Sequence, residues 1–271
     1  MLRSMHDLVN YSIVATDGKV GKVIDFLFDD EKWAVRYFVV ETGNWLSSRK
    51  VLISPIGIQK AGIQEKNWQE KEFPVAITKE QVKNSPEIDT EKPVSRQHEI
   101  DFLGYYGYPY YWGSTGIWGE SMYPYSFYDG IVQRPEEHQE LDGIALEHDK
   151  ANRKQHQNDD PHLRSSKAII GYHIHAKDGD IGHVSAVLIE DDSMVVRYLV
   201  VDTTNWFGGK KVLISPEWID DISWLDNSVT INLICEQIKE APEYQISKEL
   251  NRDYESELHK HYGLSSYWEI V

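Results

Sequence analysis

The chain has 271 residues, about two average domains in length, and 41% of them are apolar, enough for a core in each. Its formal charge of -16 opposes phosphate backbones and anionic headgroups, which are held by clustered Lys and Arg, so nucleic acid is excluded as a default partner. A single cysteine, Cys235, excludes an intramolecular disulfide and a thiolate cluster, and no apolar run reaches signal-peptide or membrane-spanning length; a cytoplasmic protein with no transmembrane segment is expected.

In chain order, the first pattern is "KVGKVIDFLFDD", which alternates. Val20, Lys22, Ile24, Phe26 and Phe28 fall on one face of the predicted strand, and Gly21, Val23, Asp25 and Leu27 on the other. Asp17-Gly18 before it reads as a type I′ hairpin turn, whose central residues need positive φ. "WAVRYFVVE" follows a "DDEK" turn, and its continuous apolar character predicts burial on both faces. "KVLISP" is a short strand closed by a proline that cannot extend a central ladder. Next come a helix over "TKEQVKNSP", stopped before Pro86, and a second from near Pro93, with Gly107 placed to end it in a left-handed cap.

The same series then recurs. Tyr11 to Pro55 aligns without a gap on Tyr172 to Pro216, so that "NWLSSRKVLISP" meets "NWFGGKKVLISP" and "VRYFVV" meets "VRYLVV". Beyond Pro55 the offset falls by five residues. "EQVKNSPE" then meets "EQIKEAPE", and "YYGYPYYW" meets "HYGLSSYW", with the second helix of this copy starting near Ser247 and ending at Gly263. The expected division is a first repeat with helical tail over 1–113, a polar and aromatic linker over 114–164, and a second repeat with helical tail over 165–271. The last part of the linker is too polar to offset its ordering entropy by burial and is expected to be mobile. Short strands at this spacing predict a mainly β protein of two tandem small antiparallel β-barrels, each followed by C-terminal helices and an aromatic tail. A symmetric interface would need the same surface from each copy, so a pseudo-twofold pairing of the repeats is expected.

"ATDGKVGKVIDFLFDDEKWAVRYFVVETGNWLSSRKVLISP", followed by "EQVKNSP" and "RQHEIDFLGYYGYPYYW", resembles the PRC-barrel family, the small β-barrel shared with the cytoplasmic part of the photosynthetic reaction-centre H subunit and with a ribosome maturation factor. The resemblance spans both repeats, and the tail pattern SRxxE…YYGxPxYW is its most specific part. What it implies is a barrel used as a docking or assembly surface, with no reaction, no cofactor and no catalytic residues to carry over.

Several residues could bear chemistry. His173 and His175 share a strand face and His183 lies across the hairpin, so the three are weak metal candidates, with solvated edge-strand histidines as the plainer reading and no metal expected. Arg36 and Arg197 recur inside an apolar strand, and Glu41 and Asp202 recur five positions later; these are candidates for structural ion pairs. Trp45 and Trp206 sit in the turn before "KVLISP", where packing over a barrel end competes with ligand stacking. The band from Gly104 to Gly130 is rich in rings. With the matched tails it makes Tyr106, Tyr111, Trp112, Tyr262, Tyr267 and Trp268, together with Trp45 and Trp206, candidates for protein contact. Trp112 and Trp268 are expected to be mostly buried. The function expected is that of a non-enzymatic binding or assembly module for an unidentified protein. The alternatives are an accessory to photosynthetic or other electron transport and a metal-dependent protein using the second repeat's histidines.

Overall fold

A computed structural model of the chain describes residues 1–59, 65–86, 94, 96–127, 162–203, 209–245 and 250–268. In chain order its regular elements are β1 (Leu2–Ser4), α1 (Met5–Leu8), β2 (Ser12–Ala15), β3 (Gly18–Asp29), β4 (Val35–Thr42), β5 (Lys50–Ile53), α2 (Glu65–Glu70), β6 (Glu72–Pro74), α3 (Lys79–Asn84) and α4 (Arg96–Tyr106). The second series is β7 (Leu163–Ser165), β8 (His173–Ala176), β9 (Gly179–Glu190), β10 (Val196–Asp202), β11 (Lys211–Ile214), β12 (Ile219–Ser223), β13 (Ser228–Ile231), α5 (Cys235–Glu240) and α6 (Arg252–Tyr262).

The chain forms two compact units. The first comprises Leu8–Ser165 with Asp192–Met194; the second comprises Met1–Asp7, Ser166–Asp191 and Val195–Val271. The first holds a six-stranded sheet in the order β5-β4-β3-β2-β6, with β7 on β3, and the second a seven-stranded sheet in the order β11-β10-β9-β8-β13-β12, with β1 on β9. Strand order therefore agrees over the repeated run. The five-residue offset falls where expected: α2 occupies the first unit there, and the β12–β13 hairpin the second.

Closed antiparallel barrels are not what the strands form. β2 pairs parallel with β6, and β8 parallel with β13, and in each sheet the hydrogen-bonded path is open at its ends. After β5 and β11, Ser54-Pro55 and Ser215-Pro216 each start a single helical turn, with the serine side chain accepting from the backbone two residues on; beyond it Ile58 bridges Val75 in the first unit and β12 pairs with β13 in the second.

The expected alternation of β3 also fails midway. Val23, assigned to the same face as Asp25, is fully buried along with Val20, Phe26 and Phe28. The register against β4 shifts between Val23 and Asp25 and again between Leu27 and Phe28, and each such bulge moves the side chains after it to the other face. Just before the first shift β3 and β4 run closest together at Gly21, where a Cβ would lie 2.1 Å from the Glu41 carbonyl oxygen. The hairpin turn centres on Thr16 and Asp17, neither with positive φ, and Gly18 opens β3 at φ 129°. Asp17 has another use: its Oδ1 accepts from the Lys79 amide at 2.8 Å and caps α3, as Asp178 does for Cys235 and α5 at 2.7 Å. β4 is buried from Val35 through Val40 as its composition predicts, and Phe38 stacks on Phe73 at 5.0 Å in the middle of the first core.

Candidate functional site

The two helices that follow the sheets, α4 and α6, each bring an Arg and a Glu three residues apart to the sheet arginine. In the first unit Glu99 is buried and accepts from Arg96 Nη1 at 3.0 Å, from the Tyr37 hydroxyl at 3.2 Å and from the Tyr111 hydroxyl. Burial pushes the Glu99 carboxyl above its ordinary range, while Arg96 and the two tyrosine hydroxyls act against that shift. Burial, with the Glu99 charge, also holds the Tyr37 and Tyr111 hydroxyls well above their ordinary value. These tyrosines act as hydrogen-bond donors and not as proton sources near neutral pH.

Next to this carboxylate lies Arg36. Its Nε donates to Asp29, and its guanidinium carbon sits 3.8 Å from the Tyr111 ring centre and 4.6 Å from that of Trp118. Nη1 and Nη2 of Arg36 are buried with no hydrogen-bond partner among the described residues, so the π faces on either side compensate part of the lost hydration. The Trp118 indole donates to the Ser193 carbonyl at 2.8 Å. The Lys32 ammonium holds the same loop through the carbonyls of Ser114, at 2.9 Å, and Gly116.

The second unit repeats the arrangement. Glu255 accepts from Arg252 Nη1 at 3.1 Å, from the Tyr198 hydroxyl at 3.1 Å and from the Tyr267 hydroxyl at 2.9 Å. Arg197 pairs with Glu190 at 2.6 Å and lies 4.0 Å from the Tyr267 ring centre. One difference decides the character of the site. The side chains of Arg36 and Asp29 are 0% and 4% exposed, whereas those of Arg197 and Glu190 are both 17% exposed and that of Arg252 is 54% exposed. His259, where the first copy has Leu103, is a further buried polar group: its Nε2 is 2.9 Å from the Tyr198 hydroxyl and its Nδ1 3.0 Å from the Ser265 carbonyl.

The sequence candidates are therefore only partly gathered here. Tyr111 and Tyr267 are central, and Arg36 and Arg197 are paired, but with Asp29 and Glu190 in place of Glu41 and Asp202. Glu41 is exposed at the far end of β4, in register with Lys22 and Lys50, and Asp202 lies in register with Lys211 and His183. Five residues along a strand put opposite faces out, whereas Asp29 stands across the β3–β4 hairpin from Arg36. Trp112 and Trp268 are mostly buried, as expected, though neither is fully enclosed: they stack on Arg96 at 4.3 Å and on Arg252 at 4.7 Å, and Trp112 also stacks on Tyr110 at 4.8 Å. Tyr106 stacks on Tyr108 at 5.4 Å, and Tyr262 is buried against Trp218 at 4.7 Å. Trp45 donates to the Val20 carbonyl at 2.6 Å and carries the Lys79 ammonium over its ring, a packing role; Trp206 lies outside the described residues.

His173 and His183 face each other in register across β8 and β9, and His175 is beside Asp180. Among the described residues no group of three or more His, Cys, Asp or Glu is placed to hold a metal ion. No described helix is long and apolar enough to cross a membrane. The expected linker of 114–164 changes extent at both ends: Ser114 to Phe127, and Leu163 and Arg164 of β7, belong to the first unit, and 128–161 lies outside the described residues.

Comparison with known proteins places similarity on both repeats. The PRC-barrel domain family matches residues 2–82 and 165–237. An uncharacterized protein of Deinococcus radiodurans is 31% identical over 98 residues, which cover 35% of this chain and 32% of that protein. The match thus spans about a third of the length of that curated relative.

Proposed function

The chain belongs to the PRC-barrel family, and on that premise we propose that it acts without catalysis, as a protein-binding or assembly module whose contact face is the arginine and tyrosine cluster of the second unit. One observation carries the reading. In the first unit the same cluster is covered by a tryptophan-bearing glycine turn of the chain itself, Gly116 to Ser121, with Trp118 over Arg36. An Arg stacked on a Tyr beside a second Arg is the kind of surface that takes an aromatic anchor, and Arg and Trp are residues on which interface energy concentrates. The exposed Arg252, with the partly exposed Arg197, Tyr267 and Trp268, offers that surface to a partner with a similar segment.

Calorimetric titration of the full chain with a synthetic peptide of Gly113 to Phe127 tests this. Saturable binding that disappears in Tyr267→Ala is expected. No binding up to about millimolar peptide, or binding indifferent to that substitution, overturns the assignment of the face.

A further inference from the structure

The strands β1 and β7 are the same tripeptide, Leu-Arg-Ser, and each completes the sheet built from the other repeat. Leu2, Arg3 and Ser4 pair with Glu190, Ile189 and Leu188 of β9; Leu163, Arg164 and Ser165 pair with Asp29, Phe28 and Leu27 of β3. The register is identical in the two repeats. So is the anchor: Arg3 Nε donates to Asp191 at 2.9 Å, and Arg164 Nε to Asp30 at 2.7 Å. The amides of the same two aspartates donate to the carbonyls of Met1 and His162, at 3.0 and 3.1 Å. Asp191 also accepts from the Met1 ammonium at 2.7 Å, and Ser165 adds a bond to Asp25 at 2.6 Å that Ser4 lacks, because Ala186 stands at that place.

The edges exist for a geometrical reason. β3 and β9 each run for twelve residues, but β2 and β8 are four residues long and leave the distal half of one side without a partner. An unpaired edge is a template for any strand that fits it. Here the fit has a reading element, since an arginine must meet an aspartate just past the strand end. Strand addition of this kind takes its affinity from main-chain bonds and its selectivity from the side chains between them.

We propose that the distal edges of β3 and β9 are self-recognition sites that accept the Leu-Arg-Ser strand of a second copy of this chain when the chain's own strand is away. The occupant is fixed by the duplication: two donors of one sequence serve two acceptors of one register, so the site reads the tripeptide and its arginine and not the molecule that carries it. This inference is independent of the arginine and tyrosine face proposed above and uses none of its residues.

Charge exchange in full chains tests it. Arg3→Glu spoils the donor and leaves a sound acceptor; Asp191→Lys spoils the acceptor and leaves a sound donor. Each alone should lose stability, and the double substitution in one chain should recover it. Mixed in equal amounts, the two single variants should form a species of twice the mass of one chain by light scattering, because the intact strand of one fits the intact edge of the other. A mixture that stays at single-chain mass overturns the proposal. So do single variants as stable as the parent, because the arginine would then read nothing. Should Asp191→Lys fail to fold, the chain with Leu2 to Ser4 deleted reads the same site: a labelled peptide of Met1 to Asn10 should bind it, the peptide carrying Arg3→Glu should bind at least tenfold more weakly, and equal binding of the two overturns the idea.

Discussion

The guanidinium of Arg36 stacks on Tyr111 at 3.8 Å while its Nε donates to Asp29, and Arg197 repeats the relation with Tyr267 at 4.0 Å and with Glu190. The two pairs share chemistry and differ in solvent. A buried pair that loses one partner leaves an uncompensated charge in a poor dielectric, so Arg36→Ala should cost about 3 to 5 kcal/mol. Arg197→Ala removes a pair that water still reaches, and should cost about 1 kcal/mol. Urea unfolding of the two variants measures the difference, and equal losses would mean that the two sites are solvated alike.

Glu99 ties stability to pH. Its folded pKa lies above the ordinary value of 4.5, so the folded state holds this proton more tightly than the unfolded chain does. Between the ordinary value and the raised one, the folded form binds more protons, and stability must fall as pH rises through that window. Its contribution is greatest below the unfolded value. Glu99→Gln keeps an acceptor for the tyrosines and removes the titration, so the difference between parent and variant, followed from pH 4 upward, should shrink or change sign with increasing pH. A constant difference would show that Glu99 is not held in its protonated form.

Gly182 has no room for a side chain. Its φ is 152°, and a Cβ would stand 2.1 Å from the carbonyl oxygen of Asp202, where β10 passes closest to β9. Backbone cannot yield as a flexible side chain does. Gly182→Ala is expected to lower stability by about 1 to 3 kcal/mol, the range for forcing atoms into a packed site. Gly179→Ala is the control: its nearest neighbour is the Cys235 sulfur at 3.4 Å, so its midpoint should move much less.

Cys235 should be a slow nucleophile. Burial, a hydrogen bond to Asp178 and the Asp178 charge push its thiol up to about 11, and only the thiolate attacks. Alkylation near pH 8 should run well below the rate of a free thiol. Asp178→Asn should quicken it by removing the charge, and an unchanged rate would assign the slowness to burial alone.

Much of this was legible in the sequence, for reasons that particular residues make plain. The duplicated core was, because Val35 to Val40 and Val196 to Val201 carry their burial in composition. Of the cluster, the SRxxE pattern already contained Arg96 and Glu99, and Asn251, Arg252 and Glu255 keep all but its serine. Asp29 was hidden. A partner across a hairpin has no fixed spacing in the chain, and the acid five residues along β4 was the more visible choice. The strand exchange was hidden too: three residues are too few to carry a period, and nothing local says which sheet they join.

Trp118 gave no signal of its own in the ring-rich band, yet it is 1% exposed, among the largest fully buried side chains of the protein, and packs on Arg36. The turn that presents it depends on Gly116, where a Cβ would lie 2.4 Å from the Gly119 carbonyl oxygen. Trp118→Ala removes the ring from one face of a buried cation as well as its own packing, and should cost about 3 to 5 kcal/mol, the range for truncating a buried large aromatic. Trp268→Ala, on a ring that is only partly enclosed, should cost less. The same substitution at Trp118 should turn the first cluster into a copy of the second, open to solvent at Arg36. In the titration with the Gly113 to Phe127 peptide, the Trp118→Ala chain should therefore take up a second equivalent. Full stability without Trp118 would show that the turn merely lies over the cluster, and a stoichiometry unchanged from the parent would show that Arg36 offers no face to a partner.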